Sequence, residues 1–264
     1  MATDPYAAPR ARVADLPAAA GPDAEFIPEG RAVAAGRGWT WFTEAWALFR
    51  QQPGTWVLIM VVFVVVSIVI GIVPVLGNLA GYVLGPIFAG GLMLGCQELA
   101  RGGELRLGHL FAGFQDHLAR LAILGIAYLV MVLVALLVAF AVAGAGLGFG
   151  WLLGMGSGDA LPAGIGTTTI LLAVLVALAL MIPAAMAIWF APALIVLNDF
   201  GVGDALKVSF VASLKNFVPF LVYGAVFVGL AIVASVPLML GWLALGPTIV
   251  ASVYTAYRDI FYAE

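Results

Sequence analysis

The sequence predicts an all-α polytopic membrane protein, with six transmembrane helices in three hairpins, each preceded by an amphipathic helix on the cytoplasmic face. Three observations predict it. Of 264 residues, 64% are hydrophobic and 9% charged, whereas soluble domains carry roughly 45–50% apolar and about 25% charged residues. Several windows hold the roughly 20 apolar residues that a bilayer crossing needs. Finally, all 11 Lys and Arg residues fall on one side of a six-span layout.

That segregation sets the topology. Arg10, Arg12, Arg31, Arg37 and Arg50 precede span one, and Arg101, Arg106 and Arg120 lie between spans two and three. Lys207 and Lys215 separate spans four and five, and Arg258 follows span six. The other three connections carry no cation. The positive-inside rule makes the cationic side cytoplasmic, with both termini on it, in a cytoplasmic membrane. An odd number of spans would destroy the pattern.

Residues 1–37 are rich in Ala and Pro, mix five carboxylates with four Arg, and lack the apolar core of a signal peptide. They read as a disordered cytoplasmic tail, ahead of a membrane domain over residues 38–264. The first module covers about residues 39–101. Trp39, Phe42, Trp46 and Phe49 recur at helical spacing and define one face of a surface helix, with Arg50 placed for lipid phosphates. Pro53-Gly54 ends that helix, and span one follows over residues 56–73. A short turn at residues 74–78 leads to span two, residues 79–99. Gly81-xxx-Gly85 and Gly91-xxx-Gly95 are spacings that let helices pack closely, and Pro86 predicts a kink.

The second module covers about residues 104–199. Leu107, Leu110, Phe111, Phe114, Leu118 and Leu121 share one helical arc, with His109, Asp116 and Arg120 opposite and His117 at the boundary. This cluster alone in the chain has acid–base or metal-like composition. It lacks a His-x-x-x-His or HExxH spacing, and its reading is a wetted face against headgroups. Span three occupies residues 121–143, and a long glycine-rich loop is expected over residues 144–168, with Trp151 dipping into the interface. With no strand before it and no Lys-Ser/Thr, that loop is not a nucleotide site. Span four, residues 169–197, is interrupted by Pro183 and Pro192.

The third module covers about residues 203–262. Leu206, Phe210, Leu214 and Phe217 form a stripe flanked by Lys207 and Lys215, and Asp204 is placed to cap the helix. Spans five and six follow over residues 217–236 and 240–257, the latter kinked at Pro247. This module repeats the first: Val73-Pro74-Val-Leu-Gly77 matches Val236-Pro237-Leu-Met-Leu-Gly241, and Leu84-Gly85-Pro86 matches Leu245-Gly246-Pro247. Arg50-Gln51 stands where Lys215-Asn216 stands. Tyr254, Tyr257, Arg258 and Asp259 read as an interfacial anchor.

Three segments carry a family resemblance. Gly38-Trp-x-Trp with Ala45-Trp-x-Leu-Phe-Arg50-x-x-Pro53, Phe190-Ala-Pro-Ala-Leu194 and Tyr257-Arg-Asp-Ile-Phe261 resemble a family of uncharacterised proteobacterial multi-pass inner-membrane proteins. The resemblance runs from about residue 37 to the C-terminus. It implies the inner membrane of a Gram-negative bacterium and brings no catalytic residues. More distantly, the pattern is similar to the membrane domain attached to some glycerophosphodiester phosphodiesterases, whose soluble catalytic domain has no counterpart here.

The functional expectation is a non-enzymatic membrane-organising, lipid-binding or partner-binding role. The contacts expected are the bilayer, anionic headgroups (at His109, Asp116, Arg120, Arg50, Lys207 and Lys215) and a protein partner of unknown identity. No nucleic acid, metal or cofactor is expected; the single Cys96 sits in an apolar run and excludes an intrachain disulfide. The alternative is a transporter or exporter of a small neutral or lipidic substrate, with Pro86, Pro192 and Pro247 shaping a pathway. Ion coupling is disfavoured, because no ionisable residue lies deep in a span, where each would cost roughly 2.5–3.5 kcal/mol to insert. A third reading, an interfacial enzyme using His109, Asp116 and His117, has the least support.

Overall fold

A computed structural model describes residues 25–155 and 163–263. Its described residues form nine α-helices and one 3-10 segment. They are α1 (Arg37–Gln51), α2 (Pro53–Gly71), α3 (Leu76–Ala100), the 3-10 segment Leu107–Phe114, α4 (Leu118–Met155), α5 (Ala163–Trp189), α6 (Ala191–Asn198), α7 (Val202–Lys215), α8 (Phe217–Ser235) and α9 (Trp242–Phe261). Helices α2, α3, α4, α5 with α6, and α8 are long and apolar enough to cross a membrane. Val64, Ile68, Val69, Leu137, Leu175 and Ile232 on these helices are all at least half exposed. An apolar belt of this extent is stable only against lipid.

Helix α9 is different in kind. It contains Arg258 and Asp259 and falls outside the set of strongly apolar helices. Its Thr248, Ser252, Tyr254, Thr255 and Tyr257 are buried against α1, α2, α3 and α8. A helix surrounded by protein can keep polar side chains, because neighbouring helices satisfy them: Tyr223 Oη and Ser252 Oγ lie 2.9 Å apart, and Thr255 donates to the Trp41 carbonyl at 2.9 Å.

The turns of the first and third modules have matching geometry. Val75 adopts φ 64°, and Leu238 and Met239 adopt 50° and 64°, a region disfavoured for large side chains. A Cβ on Gly77 would strike the Ile70 carbonyl, and one on Gly241 would lie 2.5 Å from Ala234 Cα. Glycine therefore lets each second helix start against the end of the first.

Several local expectations change. On α1 the buried face is Trp41, Phe42, Ala45, Leu48 and Phe49, whereas Trp39 and Trp46 are exposed. Aromatic spacing alone does not tell which edge of the arc meets protein; α9 and α8 take the Trp41 side. The second surface helix, expected over residues 107–121, is instead the 3-10 segment, broken at residues 115–117 before α4 begins. Its tight winding brings backbone onto α3: a Cβ on Gly113 would strike the Ile87 carbonyl, and one on Gly91 the His109 carbonyl.

On α7 the small residues Ala205, Ser209, Ala212 and Ser213 are buried, while Leu214 and the following Phe217 of the apolar stripe are exposed. Asp204 makes no capping hydrogen bond and lies in the first turn behind the cap residue Gly201. The expected loop over residues 144–168 is largely helical, because α4 continues to Met155 and α5 begins at Ala163. Residues 156–162 of that loop lie outside the described residues. At 38 residues α4 is about 57 Å long, well beyond a hydrocarbon core of about 30 Å.

Residues 25–36, which fall within the stretch read as tail, pack on the bundle. Ile27 N–H donates to the Phe261 carbonyl (2.8 Å) and Arg31 N–H to the Ile260 carbonyl (2.9 Å), while Phe26 stacks against Phe261 and pairs by an antiparallel bridge with Tyr262. The Pro- and Ala-rich composition hides this, since the partners lie more than 200 positions away.

Candidate functional site

Two features could carry function: a polar hub at the cation-bearing end, and a cavity in the membrane-level interior. The hub is built on Asp259 in the last turn of α9, whose side chain is only 5% exposed. One carboxylate oxygen accepts Arg37 Nε at 2.6 Å and Trp41 Nε1 at 2.7 Å, and the other accepts an Arg31 terminal nitrogen at 3.4 Å. Arg31 Nε also donates to the Asp259 carbonyl at 2.8 Å, where cations complement a helix C-terminus. Arg37 reaches on to Glu44 at 3.0 Å. A buried carboxylate with three donors is a fully compensated charge.

Around the hub the junctions are pinned by amides. Asn216, between α7 and α8, accepts Val33 N–H at 2.8 Å and donates to the Arg31 carbonyl at 2.9 Å. Gln52, between α1 and α2, accepts Leu105 N–H at 3.0 Å. Each amide thus ties a surface helix and its span to a neighbouring extended segment; the structural counterpart of Asn216 is Gln52, one residue beyond the Gln51 that the sequence repeat aligned with it. Tyr257 donates to Asn198 at the end of α6, and Arg258 lies over the Tyr262 ring at 4.0 Å. Tyr254, Tyr257 and Asp259 are therefore buried against protein, not the interfacial anchor expected of them. The clue available in the sequence was a carboxylate ending an otherwise apolar run.

The cavity measures about 850 Å³ and is walled by α2, α3, α4, the α5–α6 break and α9, within the size range of roughly 300–1,000 Å³ typical of ligand sites. Both copies of the Leu-Gly-Pro motif open onto it, through Gly85 and Pro86 on α3 and Gly246 on α9. Gly81 and Gly85 have nothing within 4 Å of where a Cβ would be. Their spacing therefore makes room rather than a helix contact, while Gly91 and Gly95 are the pair that packs, against the 3-10 segment. The cavity is not sealed, for Asn78, Gly81 and Gly85 on its wall are exposed.

Pro192 on the same wall begins α6 after a break at Phe190. The backbone groups freed there are met by α7: Phe190 N–H donates to Ser209 Oγ at 2.9 Å, and Ser209 and Ser213 donate to the Met186 carbonyl at 2.8 and 3.2 Å. This is how an interrupted helix is tolerated at membrane depth. Pro247 lies inside α9, one residue beyond Gly246, and is buried.

The residues expected to touch headgroups do not converge. His109 Nδ1 accepts Arg106 N–H at 3.0 Å, while Arg120 pairs with Asp199 at 2.9 Å. Asp116 is exposed in the break between the 3-10 segment and α4. Lys215 donates to the Glu29 and Gly30 carbonyls, and Arg50 and Lys207 are exposed on α1 and α7. Among the described residues no group of three or more His, Cys, Asp or Glu could hold a metal ion.

Apolar, outward-exposed helices around a buried polar hub define an integral membrane protein. The chain is 30% identical, over 218 residues covering 81% of its length and 80% of the relative's, to a protein of Burkholderia thailandensis described as a probable inner membrane protein. The chain belongs to the family of that inner-membrane protein. No family model and no solved structure matches it.

Proposed function

We propose that the protein is a non-enzymatic lipid-binding protein of the inner membrane, with six spans, both termini cytoplasmic, and an apolar ligand held in the cavity between α3 and α9. The observation that carries this reading is the cavity itself, framed by the two repeated Leu-Gly-Pro motifs. In the same reading Trp39, Trp46 and Arg50, exposed along one stripe of α1, seat the cation-bearing end among anionic headgroups. Lys207 of α7 and His109, Asp116, Arg120 and Lys215 contribute separate headgroup contacts in this reading.

Native mass spectrometry of the gently extracted protein tests the cavity. Wild type retains lipid, and Gly85→Leu, which fills open space, loses it; equal retention refutes the reading. For topology, Asn78→Cys and Lys207→Cys in a Cys96→Ala background are labelled on intact spheroplasts with an impermeant maleimide. Position 78 reacts and position 207 is protected; the reverse overturns the orientation.

The interrupted α5–α6 helix favours a second reading, a transporter or exporter of a small neutral or lipidic substrate, since broken helices often flank transport sites. Liposome uptake of a substrate panel, unchanged when Pro86, Pro192 and Pro247 are all replaced by Ala, would remove it. The distant likeness to the membrane domain of glycerophosphodiester phosphodiesterases belongs to architecture in this proposal and brings no activity.

A further inference from the structure

The cavity is apolar along most of its length but not at the end remote from the hub. There Asn78 and Tyr82, one helical turn apart on α3, line the wall together with Tyr128 of α4, the Tyr82 and Tyr128 rings lying 5.8 Å apart. Among the described residues neither hydroxyl, nor the Asn78 amide, has a hydrogen-bond partner within the chain. Asn78 is exposed and both tyrosines are half-buried, so these three groups stand accessible at the mouth of the cavity and free to pair with a ligand.

From Asn78 the wall runs along α3 to Met93, about 22 Å, most of the depth of a hydrocarbon core of roughly 30 Å. It ends beside Trp189 at the α5–α6 break. The described connections at the Asn78 end, residues 72–75 and 236–241, contain no Lys or Arg. A phosphate placed there would meet no countercharge.

Resting on the cavity reading above, we infer that the site takes an uncharged, hydroxyl-bearing amphiphile, its head hydrogen-bonded by Asn78, Tyr82 and Tyr128 and its chain running along α3 to Trp189. The donors and acceptors fit: the Asn78 amide offers both kinds, and each phenol can donate to or accept from a ligand hydroxyl. The chain lies along Gly81 and Gly85, where no side chain projects, and against the Pro86 ring.

The test uses the full-length protein in detergent micelles and two probes with the same brominated acyl chain: a monoacylglycerol and the corresponding lysophosphatidic acid. The readout is quenching of Trp189, isolated as the difference between wild type and Trp189→Phe. The monoacylglycerol should quench at a concentration about tenfold lower than its phosphate analogue, as expected for one or two net hydrogen bonds. Asn78→Leu combined with Tyr82→Phe and Tyr128→Phe should erase that preference while leaving quenching by the chain.

Equal potency of the two probes on wild type, or tighter binding of the phosphate, overturns the headgroup assignment and leaves the cavity reading standing. No Trp189-specific quenching by either probe overturns both. The comparison of probes on wild type decides the matter even where the triple variant fails to fold.

Discussion

Replacing Asp259 by Ala removes the acceptor on which the hub is built. Trp41 Nε1, on a side chain with no solvent exposure, is left without a partner, which costs about 1–3 kcal/mol. Arg31 and Arg37 lose their carboxylate; breaking a buried ion pair from one side costs roughly 3–5 kcal/mol. Their side chains retain 37% and 29% exposure, so water compensates part of that loss. The expected total is about 3 kcal/mol, since these effects overlap.

The molecule supplies its own reporter. Cys96 is the single cysteine and is fully buried in α3, so a thiol-reactive fluorogenic dye labels it only when the structure opens. Where reclosing outpaces labelling, 3 kcal/mol corresponds to a labelling rate higher by about a hundredfold, and to a Tm lower by about 6–12 °C. Asp199→Asn, which keeps a residue suited to the left-handed φ of 57° at that position, is the control. It also deletes a carboxylate paired with an Arg, but that Asp is 79% exposed, and the change should stay within about 1 kcal/mol. A less than threefold effect of Asp259→Ala, or equal effects of the two variants, would refute the hub as a stabilising element.

The same reporter checks three further expectations. Gly91→Ala forces a Cβ into the His109 carbonyl and should destabilise by about 1–3 kcal/mol, whereas Gly81→Ala meets open space and should be neutral or stabilising by about 0.5–1 kcal/mol. Ser209→Ala leaves the Phe190 N–H without its acceptor and should cost about 1–3 kcal/mol; a silent variant would mean the break is satisfied otherwise. Trp41→Ala should cost about 3–5 kcal/mol, while Trp39→Ala with Trp46→Ala together should stay within about 1 kcal/mol in detergent. The opposite order would show that α1 is turned the other way.

The membrane character of the chain was legible in composition alone, because no soluble arrangement can hide so much apolar surface with so few charges. The repeat was legible too, since Gly77 and Gly241 recur in a turn motif whose backbone clashes demand glycine at both places. What the pattern could not tell was which neighbour each face would meet. Two glycine pairs on α3 have the same spacing, yet one packs on the 3-10 segment and the other opens onto a cavity. Likewise α1 buries only the Phe42 and Phe49 edge of its aromatic arc, and α7 buries small residues rather than its large apolar stripe.

Periodicity reports that a helix has an apolar side, and in a membrane protein both lipid and protein can satisfy that side. Only the packing of the other helices decides between them. The hub shows the same division most sharply: each of Arg31, Arg37, Trp41 and Asp259 was visible in the chain, and separations of more than 200 residues kept their meeting out of sight. Composition and motif set the solvent this protein lives in and the unit it repeats. The tertiary structure decided where protein, rather than lipid, would stand beside each residue.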